Sequence, residues 1–206
     1  GVATASSINI TKPTGTVDND VLVAIFSLNI ATSATLATLS GWTLVTALSA
    51  SGNILRGYFY TKVASSEPAS WTWTINTAVA DCAGIIMSFS GGAASDSNSL
   101  AATDVTTSPT AATLTTNSTN NIIVAGWNFG NGLTFTKPAS MTAIGTTTGG
   151  TTMAVDASYE SVAAQGATGI RTATISISGG WVSHMLAIPE GGGGGAVVVR
   201  PEQLSV

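Results

Sequence analysis

His184 is the single histidine of the chain and Cys82 its single cysteine. Acid–base or nucleophilic chemistry would therefore have to be built around one of these, or around paired carboxylates with tuned environments. His184 lies in the apolar run WVSHMLAI, where alternation carries it toward a core or a contact surface. Serines are plentiful, yet no Gly-x-Ser-x-Gly turn precedes a helix, the arrangement that exposes a nucleophilic hydroxyl. Cys82 opens the run CAGIIMSFS and reads as a small buried hydrophobe. The acidic turns Asp18-Asn19-Asp20 and Ser95-Asp96-Ser97-Asn98 offer oxygen ligands to a cation. Neither continues into the distal glutamate of a calcium loop, and Asx residues at strand ends ordinarily form turns. No catalytic residue, cofactor or metal site is expected.

The elements that would have to position such groups are strands. Runs rich in Val, Ile, Thr and aromatics alternate with Gly, Asn, Asp and Pro clusters. SSINIT, DVLVAIFSL, GWTLVTAL, NILRGYFYTKVA, SWTWTIN and CAGIIMSFS fill the first half. NIIVAGWNF, MTAIGTT, TMAVDASYESV, RTATISIS, WVSHMLAIP and AVVVR fill the second. No stretch holds a 3.6-residue period, so the class is all-β. The expected architecture is a two-sheet antiparallel β-sandwich, jelly-roll-like, over residues 1–190.

Composition limits the partners. Charged residues make up 8% of the chain, against roughly 25% in ordinary soluble domains. The six basic residues are scattered and the net charge is -4, which argues against nucleic acid, whose phosphates need clustered Lys and Arg. The longest apolar run, VLVAIFSLNIA, is shorter than the 18 or so residues of a membrane helix and is interrupted by Ser27 and Asn29, so no membrane insertion is expected.

Alternation also sorts residues by face. Both sets of DVLVAIFSL are apolar, as in a central strand covered on two sides. In NILRGYFYTKV, Leu55, Phe59 and Val63 share the core face, which leaves Arg56, Tyr58, Tyr60 and Lys62 as an aromatic and basic outer face. In TMAVDASYESV, Val155 falls with the core set and Asp156 and Glu160 with an acidic outer set. Opposite charges on these faces make a possible contact between subunits, against the plainer reading of two solvated faces. Trp71, Trp73 and Ile75 share a face that reads as core. Exposed instead, the two tryptophans would make a platform for sugar rings. Expected core residues are Val23, Ile25, Leu55, Phe59, Trp71, Trp73, Ile123 and Val155.

The halves echo each other at a spacing of about a hundred residues, as pseudo-repeats over about 6–91 and 112–190. DNDVLVAIFSLN matches TNNIIVAGWNFG, and two further blocks follow in the same order. An ancient duplication explains this; so does the self-similarity of any long β-meander. The low-complexity stretch from Gly91 to Thr113 connects them. Five glycines, Gly191 to Gly195, then tether a last run, AVVVRPEQLSV, over 196–206. As a coil they reach roughly 12 Å, enough to carry an edge strand to a neighbouring subunit. Ala196, Val197, Val198, Val199, Arg200 and Leu204 are the expected contact residues of that arm, and pairing within the chain's own sandwich is the alternative.

TKPTGTVDNDVLVA, LSGWTLV and YFYTKVASSEPASWTWT resemble a recurring low-charge β-sandwich module of phage virion proteins and prophage-type or adhesive bacterial surface proteins. The match covers Pro13 to Thr74 and brings no catalytic residue with it. It implies a non-enzymatic structural protein located in a virion: a capsid decoration, tail appendage or fibre subunit whose partners are other subunits of the same assembly. The alternative is a carbohydrate-binding or adhesive module on a virion or cell surface, with surface glycans as partners.

Overall fold

A strand with apolar residues on both faces needs a layer on each side, and Val21–Asn29 sets that requirement at the centre of the first half. In the first half β1 spans Ala5–Thr11, β2 Val21–Asn29, β3 Thr43–Ser49, β4 Leu55–Val63, β5 Ser70–Val79 and β6 Cys82–Ser90. The connection holds β7 (Ser97–Asn98) and β8 (Ala102–Thr106). In the second half β9 (Thr110–Ala111), β10 (Thr115–Thr116) and β12 (Phe135–Thr136) are short, whereas β11 (Asn121–Gly130), β13 (Thr142–Gly149) and β14 (Met153–Val162) are long. They are followed by the short strands β15 (Gly166–Ala167), β16 (Arg171–Thr172) and β17 (Thr174–Ile175), then β18 (Gly179–Pro189) and β19 (Val198–Gln203). The computed structural model describes residues 5–29, 33–50, 54–79, 81–95, 97–130, 133–150, 152–191 and 198–203. Among these residues the secondary structure is all β.

The long strands form two antiparallel sheets packed face to face. One is five-stranded, in the order β19-β6-β2-β4-β3. The other runs β13-β14-β11-β18, with β7 and β8 both on the outer side of β18. Val23, Ile25, Phe59 and Met87 of the first sheet meet Val124, Val155, Val182 and Leu186 of the second in a shared core. All eight expected core residues are buried.

The sandwich is deeper than two layers. The β1–β5 pair covers the outer face of the five-stranded sheet, placing Ile8, Ile10, Trp71 and Trp73 against Leu22, Phe26, Tyr58 and Tyr60. On the far side, the short pairs β9–β16, β10–β15 and β12–β17 adjoin a third cluster, in which Leu114, Ala173 and Ile175 join Ile123, Trp127 and Met185. The reason lies in the sequence: the outward sets of β2 and β11 are as apolar as the inward sets, so each sheet needs a second cover.

Strand order corresponds between the sheets, β6-β2-β4-β3 against β18-β11-β14-β13. Trp42 and Met141 also take matching places ahead of β3 and β13. Each is buried, and each amide donates at 3.1 Å to the carbonyl three residues back, of Leu39 and of Pro138.

The edge strands change sides. β8 follows β6 in the chain but pairs with β18, and β19 follows β18 but pairs with β6. The stretch after Gly91 is thus a crossover that supplies an edge to the second sheet. The two crossing segments hydrogen-bond as they pass: Gly191 N donates to Gly91 O at 2.7 Å and Ala93 N to Pro189 O at 2.8 Å. Glycine is needed for that approach, because a Cβ on Gly92 would lie 2.6 Å from Ile188 Cγ2. A Cβ on Gly191, first of the glycine run, would lie 3.0 Å from Gly91 O.

Candidate functional site

The most distinctive polar arrangement lies where β19 joins β6. An edge strand tolerates proline because one row of its amides needs no partner in the sheet, and Pro201 sits within β19, opposite Met87. Val199 packs against the shared core, while Val198 is about half exposed. Arg200 stands opposite Ser88. Its guanidinium reaches across β6 to Asp20, with Nη1 3.5 Å from Oδ2, and also donates to Ser90 Oγ.

Asp20 ends the turn before β2 and its side chain is 3% exposed. Ser88 Oγ donates to its Oδ2 at 2.7 Å and the Val17 amide at 3.1 Å. A carboxylate so buried has lost most of its hydration, and neutral donors replace only part of it. Arg200 is the cation that completes its partners. Beside this site, a cleft of about 440 Å³ is lined by Val17 to Asp20, Ser90 to Gly92 and Gly191. The arrangement holds a strand at one register; it presents no pair of groups poised for proton transfer.

Of the residues expected in a C-terminal arm, Val198, Val199 and Arg200 therefore pair with β6 of their own chain. Ala196, Val197 and Leu204 lie outside the described residues. In the single chain the β19–β6 pairing is the one within its own sandwich that stood as the alternative, because its own β6 presents an edge.

Of the six residues expected on contact faces, Tyr58, Tyr60 and Asp156 are buried within the chain instead. Tyr58 and Tyr60 are buried beneath the β1–β5 cover, and the Leu36 amide donates to Tyr58 Oη at 3.1 Å. Arg56 lies over the Tyr58 ring, and Lys62 pairs with Glu67 at 2.8 Å. Asp156 is buried and accepts hydrogen bonds from Thr146 and Ser158. Burial pushes its carboxyl up to about 6, against the pull of those hydroxyls. Glu160 pairs with Arg171 of the outer layer. Each face is thus occupied largely by the chain's own residues. Trp71 and Trp73 are buried as well, so they form no exposed platform for sugars.

His184 faces the shared core beside Phe59, with ring centroids 5.1 Å apart. Neither ring nitrogen has a hydrogen-bond partner, and burial pushes its pKa down to about 4. Cys82 is buried, and its thiol is pushed up to about 11 by burial and then by the charge of Asp81. Asp18 accepts the Ser66 amide at 2.6 Å, while Asp96 lies outside the described residues. Among the described residues no cluster of three His, Cys, Asp or Glu could hold a metal, and no helix is long and apolar enough to cross a membrane.

Sequence reasoning treated Asp20 as a turn residue and overlooked Asp81. The Asp81 carboxylate accepts from the Thr152 amide, from Thr152 Oγ1 at 2.8 Å and from the Met153 amide at 3.2 Å. It thereby fastens the β5–β6 turn to the β13–β14 hairpin. The local signal was an aspartate beside a strand, which carries no information on a partner 71 residues away. Compared with protein-family models, curated proteins and solved structures, the chain matches none.

Proposed function

We propose that this protein is a non-catalytic structural subunit of a virion or a comparable surface assembly, and that it joins its neighbours by exchanging its C-terminal strand. The observation that carries this reading is β19 itself. It follows a glycine run, leaves the half that precedes it, and completes a sheet whose other strands belong to the other half. A strand docked by backbone pairing on an open edge is a common means of joining separate chains. A surface so poor in charge is also a liability for a free monomer and much less so for a subunit covered by neighbours.

We read the sandwich as two duplicated halves. Support comes from the matching strand orders and from the reciprocal exchange of β8 and β19. A single jelly-roll winding would alternate consecutive strands between sheets, whereas here β2, β3, β4 and β6 share one sheet.

The test compares the full chain with one ending at Glu190, by sedimentation across a wide concentration range. The full chain is expected to form larger species as concentration rises, and the shortened chain to stay folded and smaller. A full chain that remains monomeric at every concentration, or a shortened chain that assembles equally well, overturns the reading.

A further inference from the structure

We infer that the β6 edge is a selective acceptor for an extended segment carrying arginine ahead of proline, and that in an assembly its occupant is the β19 of a second copy of this chain. The inference rests on the strand-exchange reading above and adds what the acceptor recognises. The chain's own β19 shows the fit: Val198 to Gln203 pair in register with Ser90 to Ile85, and Arg200 reaches Asp20 and Ser90 from its place opposite Ser88.

Asp20 is what makes the edge selective. With β19 absent, its carboxylate keeps the Ser88 hydroxyl and the Val17 amide but loses its cation. A strand that offers no cation at that position leaves a buried charge unpaired, which costs more than the pair contributes. Register is selected along with identity. Sliding β19 by one residue would turn Val199 out of the core and Arg200 into it.

The second sheet supplies the contrast. Val21 pairs with Phe89 in β6, and Ile122 pairs with Ile188 in β18, so Asn121 holds the place of Asp20. By the same register Ala187 stands for Ser88 and Pro189 for Ser90. Asn121 is already satisfied locally, donating to Ser118 O at 2.7 Å and accepting from Ser118 Oγ at 3.1 Å. Ser97 lies opposite Ala187, where the first sheet has Arg200 opposite Ser88. The three corresponding positions, Asn121, Ala187 and Pro189, are all uncharged, and the nearest carboxylate, on Glu190, is exposed beyond the end of β18. The two edges therefore discriminate between strands, and a β19 arriving from another copy goes to β6 and not to β18. Reciprocal exchange closes a two-fold dimer, and exchange passed onward builds an open chain.

The experiment uses full-length chains. Asp20→Asn weakens the acceptor and spares the donor strand, while Arg200→Ala does the reverse. In each variant alone the pair is missing from the closed chain and from the exchanged form alike, so its self-association is expected to stay close to that of wild type. Mixed, the two are expected to give heterodimers above the statistical fraction by native mass spectrometry, since Arg200 of one copy meets Asp20 of the other. Arg200→Lys keeps the charge without the planar fork, and mixed with Asp20→Asn it is expected to give a smaller heterodimer excess than Arg200→Ala does. If wild type assembles and the mixed variants give heterodimers only at the statistical fraction, the selective acceptor is wrong while strand exchange stands. If wild type does not assemble, the exchange reading falls and this inference with it.

Discussion

Acidification should expose two buried groups that work against each other. His184 is 1% exposed and has no hydrogen-bond partner on either ring nitrogen. Its pKa falls from 6.5 to about 4 on folding. Above pH 6.5 the ring is neutral whether the chain is folded or not, and contributes no pH dependence. Below 6.5 the unfolded chain takes a proton that the native core refuses, so stability falls until the native ring is protonated near pH 4. At 1.36 kcal/mol per unit, that loss is roughly 3 kcal/mol. Asp156 behaves oppositely, because its carboxyl rises from 3.8 to about 6 on folding. It is ionised in a buried setting above pH 6, at a cost of roughly 3 kcal/mol. As pH falls from 6 toward 3.8, the native state takes the proton first and stability recovers.

In the wild type these two slopes largely offset each other between pH 6 and 4. Removing one group reveals the other. Relative to wild type, His184→Leu is expected to gain roughly 3 kcal/mol between pH 7 and pH 4, and Asp156→Asn to lose a similar amount over the same range. Urea unfolding followed by tryptophan fluorescence, repeated at each pH, measures both differences, and the other carboxylates cancel in the comparison. A stability difference that stays constant from pH 7 to pH 4 for either variant would refute the burial argument for that residue.

Two further predictions concern packing. Gly92→Ala is expected to lower thermal stability by about 1–3 kcal/mol, because its Cβ would meet the fully buried Ile188 side chain where the two crossovers pass. An unchanged melting temperature would mean the crossovers do not lie against each other. Cys82 should resist thiol reagents at pH 8 in the native protein and react fully in urea, given its burial and a thiol pushed up to about 11. Rapid labelling of the native chain would contradict its place in the core.

The crossing of the two connections explains the glycines at Gly92 and Gly191. Two segments cross in opposite directions between the sheets, and their backbones come within hydrogen-bonding distance at Gly91 and Gly191. Side chains there would hold the segments apart. In the assembly proposed above, the following strand can take its own β6 edge or that of another copy. On that proposal, a rising local concentration of copies shifts the balance toward a neighbour's edge.

The sequence by itself determined the class, most strand positions and the shared core. Alternation is a local property: it placed CAGIIMSFS on β6 and put Leu55 and Phe59 on one face of β4. The two apolar sets of DVLVAIFSL announced a central strand, and β2 is buried on both faces. The short strands of the outer layer were less legible, since pairs such as β9–β16 and β12–β17 owe their position to the sheet beneath them. Tertiary structure alone decided what covered each face. Tyr58 and Tyr60 read as an outer face because alternation says which residues point away from one core and nothing of a second core beyond. It also decided the fate of the last strand. Asp20 and Arg200 are 180 residues apart, and nothing near either one identifies the other. A buried carboxylate needs a cation, and only the folded chain determines which side chain arrives.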